Sequence, residues 1–496
     1  MNRRDFLFSA AAGASAVALS RFSLADATQP APQPIAAHLT LLPNQPGAAI
    51  DREFLGLSYE SAQLAHPEYF SATNHELVGF LRNLAPRGVL RIGGNTSEYA
   101  FWTPKPAAQQ QPNASSDSSD IVGPDKGHKP APPTQTTPQA IRNLRGFLDA
   151  TGWRAYYGLN LGQGTPQQAA DEAAFVADTL GDRLILFQIG NEADLYHNNG
   201  LRPADYNYAA FARDWQRFYD AIHARVPTAK FGGPDTAVTG MWVEEFAKQF
   251  HNQVELLSSH YYAEGPPTNP AMTIEHLLAP TNDRWDKGVP QIRNAMAASQ
   301  LPFRLAETNS CYQGGKQGVS NTFASALWAA DLMLELASFG ASGINFHGGG
   351  YGWYAPIVGT IPNGFVARPE YYGMLLFAQL LGGSLMASDL RVSNSSPLLK
   401  AYAARGANGL HRAIILNKDA ENNYRLTVKA PVHAERLTLQ RLLAPRLEDT
   451  TDITFAAAPV GDSGAWHAER SESVPVQNGS ADCEIPAGSA ALLTWE

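Results

Sequence analysis

The chain has 496 residues, with 37 Lys plus Arg against 46 Asp plus Glu, a formal net charge of -9 and 44% hydrophobic residues. That length buries a large core and suits either two domains or one barrel with an appendage. The mildly acidic balance excludes the polyanion-coating surface of a nucleic-acid binder, and two cysteines, Cys311 and Cys483, are too few for a disulfide framework.

Residues 1–27 read as an address. Arg3-Arg4-Asp5-Phe6-Leu7 precedes a short apolar stretch and the small-residue site Ala25-Asp26-Ala27, which looks like a twin-arginine-type signal peptide. The mature protein is therefore expected to be exported, periplasmic or secreted. No stretch approaches the roughly 20 apolar residues of a membrane span, so none is expected. Residues 28–49 form an N-terminal segment in which 36–42 can add a strand to the C-terminal domain.

From 50 to 381, short apolar runs recur, each followed by turn residues and then usually by a helical pattern. This is the rhythm of a parallel (β/α)8 TIM barrel. Eight runs fit, at 54–59, 89–92, 155–161, 184–189, 230–233, 254–259, 303–306 and 343–346, with helical periodicity at 171–180, 206–226, 322–339 and 371–381. Residues 103–138, rich in Pro, Gln, Ser and Ala, are a low-complexity loop insertion after the second strand, where it either walls the cleft or makes no contact with substrate. From 382 to 496 strand-like stretches replace helices, and the expected unit is an accessory β-sandwich.

Barrel enzymes place their chemistry at the carboxyl ends of the strands. Here those ends carry Tyr59-Glu60, Gly93-Gly94-Asn95, Gly190-Asn191-Glu192, His260-Tyr261-Tyr262, Glu307, and His347 followed by Gly348 to Tyr351. A glutamate alone in such a loop is ordinarily a solvated carboxylate. Two of them, on strands four and seven, face one bowl and suit glycosidic cleavage, in which one carboxyl protonates the leaving oxygen while an ionised one attacks the anomeric carbon. Glu192 is the expected acid/base and Glu307 the nucleophile. Tyr261 can donate to Glu307 and Arg91 can favour its ionised form, while the charge on Glu307 keeps Glu192 protonated. No zinc motif of the His-Glu-x-x-His kind is present, and His260 and His347 lack a third ligand, so both read as pocket-lining and neither metal nor cofactor is expected.

The motifs Phe54 to Glu60, Leu90 to Asn95, Ile189 to Glu192, His260-Tyr261-Tyr262, Ala306-Glu307-Thr308 with Tyr312, and Phe346 to Tyr351 together resemble glycoside hydrolase family 79 within the clan A retaining glycosidases. The family contains heparanases and exo-acting β-glucuronidases. The resemblance implies a uronic acid in the minus-one subsite, its carboxylate held by Tyr312 and by backbone amides at Gly350-Tyr351. It further implies Glu60 on the far sugar hydroxyls, Asn95 at the ring's rim and Asn191 on the 2-hydroxyl. Gln313, standing before Gly314-Gly315, departs from the Gly-rich run of the heparanase type. That departure, and the lack of a dense Lys/Arg cluster, favour exo-cleavage of a terminal β-glucuronosyl residue from a carbohydrate substrate. Three alternatives stay open: an endo-acting heparanase-like hydrolase, a clan A enzyme on a neutral sugar, and a non-catalytic carbohydrate-binding protein. Nothing in the sequence points to an oligomeric state.

Overall fold

The computed structural model describes residues 33–104, 131–349, 352–429 and 434–495. The expected signal at 1–27, most of the 103–138 insertion and the pair Gly350-Tyr351 lie outside them.

Eight parallel strands close into a barrel: β1 (Gly56–Glu60), β2 (Val89–Gly93), β3 (Arg154–Leu159), β4 (Leu184–Ile189), β5 (Phe231–Thr236), β6 (Leu256–Glu264), β7 (Phe303–Cys311) and β8 (Gly343–His347). They are hydrogen-bonded in sequence order, and β8 returns to β1. Each overlaps one of the eight apolar runs. Strands β2, β7 and β8 are buried along their whole length, as expected of parallel strands covered by helices on the outside and filled by side chains on the inside. The helices at Pro166–Leu180, Tyr208–Arg225 and Phe323–Ser338 follow β3, β4 and β7. The first of them starts on a Thr165/Gln168 capping box with Pro166 in its first turn, a combination that satisfies orphan backbone donors and presets the helical φ.

The accessory unit is one continuous ten-stranded sheet that curls on itself, rather than two separately hydrogen-bonded layers. Strand Ile35–Ala49 lies inside it, antiparallel to Ser384–Val392 and parallel to Tyr424–Lys429. Alternation along its strands serves two cores. In His411–Asn417, Ile414 and Leu416 pack on the barrel, while Ala413 and Ile415 face the sheet's own interior. A buried ion cluster joins the same surfaces: Asp331, on the helix after β7, accepts from Lys418 at 2.6 Å, from Lys400 at 2.9 Å and from the Tyr402 hydroxyl at 2.7 Å. The ends of the 103–138 insertion are ordered by a short parallel pair, Ala100–Trp102 with Thr134–Thr136.

Candidate active site

Two glycines shape the turns that carry the site. Gly94, after β2, has φ +71, and a Cβ there would meet the Glu60 carboxylate at 2.5 Å. Gly190, after β4, has φ +84, and its Cβ would strike Leu161 and the Tyr196 hydroxyl. Glycine is the residue that tolerates both demands. Beyond Gly190 the chain turns so sharply that Glu192 itself adopts φ 51, a left-handed conformation that a non-glycine residue holds only when its surroundings enforce it. The Glu192 amide donates to the Asp235 carbonyl at 2.8 Å, which ties this turn to the end of β5.

Glu192 and Glu307 meet across the mouth of the barrel. Together with His260 they offer donor atoms that all lie within 4.8 Å of one another. Carboxyl groups roughly 5–5.5 Å apart belong to retaining glycosidases, whereas inverting enzymes need about 6.5–9.5 Å to admit a water. One oxygen of each carboxyl lies within 4.8 Å of the other's, an approach that fits the shorter of these spacings. Both side chains line a cleft of about 680 Å³, together with Glu60, Asn95, Tyr262, Tyr312, His347 and Gly349.

Arg91 is the electrostatic centre. It is only 1% exposed, and it donates to Glu307 Oε2 at 2.6 Å, Asn191 Oδ1 at 2.7 Å, Gln188 Oε1 at 2.9 Å, Ser58 Oγ at 3.0 Å and Asp235 Oδ2 at 3.2 Å. Burial by itself would raise the Glu307 carboxyl. The opposing charges of His347, His260 and Arg91, with the Tyr262 hydrogen bond, outweigh it and hold Glu307 well below the usual carboxylate range. Glu307 is thus kept ionised.

Burial likewise acts to discharge His260, but Glu307, Asp235 and Glu192 prevail and push it up to about 10. A cationic imidazole donates from both nitrogens, so Nδ1 donates to Glu192 Oε1 at 2.9 Å and Nε2 faces Asp235 Oδ1 at 3.5 Å. His347 faces Glu307 at 3.6 Å and Glu60 at 3.4 Å. Glu60 in turn accepts from the Thr96 amide and hydroxyl. Asn191 passes its amide hydrogen bond to Asn95 at 3.1 Å, which brings the two predicted sugar contacts side by side.

One assignment needs correction. The phenol that donates to Glu307 is Tyr262, at 2.8 Å, and not Tyr261. Successive side chains of a strand point to opposite faces, so on β6 His260 and Tyr262 point into the barrel. Tyr261 points outward, buried against Trp285 with ring centroids 4.8 Å apart. Three groups escaped the sequence reading. Asp235 stands one residue before the end of β5, a run read as stopping at Gly233. Tyr354, beyond the eighth-strand loop, lines the cleft. Glu98, in the 3-10 turn Asn95–Tyr99, lies beneath the Asn191 backbone. Extending the strand-end rule a few residues into each loop finds all three.

Residues 401–492 match the model of the glycosyl hydrolase family 79 C-terminal beta domain. A β-glucuronidase of Aspergillus niger is 24% identical over 90% of this chain and 90% of its own length. A β-glucuronidase of Neurospora crassa is 26% identical over 82% of this chain and 77% of its own. The chain resembles glycoside hydrolase family 79, and it is a glycoside hydrolase. Among solved structures, a 4-O-α-L-rhamnosyl-β-D-glucuronidase of Fusarium oxysporum shares the fold, with TM-score 0.71 at 17% identity, covering 92% of this chain and 100% of the other.

Proposed function

We propose that this family 79-like hydrolase is a retaining exo-β-glucuronidase that removes terminal β-linked glucuronic acid from glycans or glycoconjugates by double displacement. The observation that carries the reading is the pair of facing carboxylates, Glu192 and Glu307, within 4.8 Å of each other, in a chain similar to β-glucuronidases along most of its length. Glu307, ionised, attacks the anomeric carbon. Glu192 protonates the departing oxygen and then deprotonates the water that releases the sugar. Asn191 and Asn95 meet the ring hydroxyls near the 2-position, Glu60 accepts from the far hydroxyls, and Tyr312 donates to the uronate carboxylate.

The cleft favours a short substrate over a long sulfated chain. Among its described lining residues, the Lys and Arg side chains are Arg284 and Lys287. Each already faces a carboxylate, Glu264 at 3.3 Å and Asp283 at 3.2 Å, so little unbalanced positive charge is left to grip a polyanion.

Aryl β-glycosides that differ only at C6 (carboxylate, hydroxymethyl or hydrogen) test the sugar. The uronide is expected to have the highest kcat/KM, and Tyr312→Phe to lower that value by about 10-fold through loss of one charge-assisted hydrogen bond. A neutral sugar cleaved as well as the uronide would sink the assignment, and rapid shortening of a uronate polymer with the aryl uronide left intact would turn it to the endo reading.

We further propose export through the twin-arginine signal at 1–27. Replacing Arg3 and Arg4 with lysine is expected to strand the activity in the cytoplasmic fraction. Unchanged fractionation of that double variant would remove the proposal.

A further inference from the structure

Glu98 is a buried carboxyl, 2% exposed, and is not among the residues that line the cleft. Its Oε1 accepts from the Asn191 amide at 2.7 Å and from the Tyr196 hydroxyl at 2.6 Å, and its Oε2 accepts from the Gly162 amide. One side chain from the loop after β2 therefore binds the loops after β3 and β4. Burial raises this carboxyl to about 7 against the pull of those three donors, so its placement costs free energy that a surface carboxylate would not incur.

The location of the three donors gives the group its meaning. Asn191 is gripped at its amide by Glu98 and at its side chain by Arg91, at 2.7 Å. The next amide, that of Glu192, is gripped by the Asp235 carbonyl. Tyr196 closes the short 3-10 turn Ala193–Leu195 that follows. The strained φ of Glu192 is thus fixed from before and after, and the anchor before it is Glu98.

We propose that Glu98 is a positioning residue which holds the Gly190–Glu192 turn and through it sets where Glu192 delivers its proton. This rests on the reading of Glu192 as the acid. Without the clamp, the fold and the nucleophile stay in place, and the acid drifts from the glycosidic oxygen. In Glu98→Gln a carboxylate that accepted these three short hydrogen bonds, and a longer one from the Ser97 hydroxyl at 3.5 Å, becomes an amide. Its NH2 group must face at least one of the Asn191, Tyr196 and Gly162 donors, so the turn loosens.

Leaving-group dependence separates this role from a merely structural one. A phenyl β-glucuronide needs its leaving oxygen protonated; a 2,4-dinitrophenyl β-glucuronide does not. Misplacing the acid by about 1 Å is expected to cost Glu98→Gln about 10-fold to 100-fold in kcat/KM on the phenyl substrate. On the dinitrophenyl substrate the cost should stay under about 3-fold, because proton transfer contributes little there. Tyr196→Phe, which removes one donor and leaves the carboxylate, should show a smaller loss with the same selectivity, and it decides the matter alone if Glu98→Gln fails to fold. Equal losses on both substrates, or no loss on either, would overturn the proposal. Glu192→Ala serves as reference: if it loses activity equally on both substrates, the acid assignment fails. If it shows the leaving-group split and the Glu98 and Tyr196 variants do not, only the positioning role fails.

Discussion

Glu307→Gln should abolish turnover, lowering kcat by on the order of 10⁴-fold or more, as removal of a covalent nucleophile does in general, while the protein still folds and still binds a glucuronide. The amide is nearly isosteric, and its two ends can be matched to the neighbours. The oxygen can face Arg91, which must donate, and the NH2 group can face Tyr262, whose hydroxyl can rotate to accept. Arg91 keeps Asp235 as a counter-ion at 3.2 Å. The loss is therefore chemical: an amide cannot form the glycosyl ester on which double displacement depends. Activity of the purified variant and its thermal unfolding, measured together, check this. Turnover persisting near the parent level in a folded variant would move the nucleophile elsewhere.

The meeting of Glu192 and Glu307 in one cleft could be read from the sequence because the rule that finds it needs only strand order. Eight apolar runs in a parallel barrel fix which loops share the catalytic face, and Glu192 and Glu307 stand at the ends of the fourth and seventh runs. The choice between Tyr261 and Tyr262 needs more: which parity of the sixth strand points inward near its end. The pairing of β7 with β6 and with β8 shifts register close to Glu307, and no local pattern announces a bulge. Glu98 was hidden for another reason. It stands in an irregular turn, and its partners Gly162, Asn191 and Tyr196 come from distant segments, so its place past the second strand marks a loop residue but not a buried acid. The continuity of the accessory sheet depends on strand Ile35–Ala49 pairing with strands more than 300 positions away. Local alternation identifies such strands without ordering them.

Replacing Arg91 is expected to damage chemistry and stability together, and the pH dependence shows why. In Arg91→Met, Glu307 and Asp235 lose the guanidinium that lies 2.6 Å and 3.2 Å from them, and Asn191, Gln188 and Ser58 lose their donor. Breaking a buried ion pair from one side costs about 3–5 kcal/mol, so the midpoint of denaturant unfolding should fall clearly. Glu307 is a carboxyl whose folded pKa is depressed. Its contribution to stability is present above the unfolded value of about 4.3 and is lost as pH falls through the folded one. Removing Arg91 raises the folded pKa towards or above the unfolded value, and the stabilisation at neutral pH shrinks. The kinetic consequence has the same sign: because Glu307 must be ionised to attack, the acidic limb of the kcat/KM profile should move to higher pH. Tyr262→Phe, which removes one hydrogen bond to the same carboxylate, should move the limb in the same direction by less. Arg91→Lys keeps the charge without the planar fork that reaches several acceptors at once, so it should fall between Arg91→Met and the parent. An acidic limb that stayed in place in Arg91→Met, with turnover preserved, would show that His347, His260 and Tyr262 hold Glu307 ionised without Arg91.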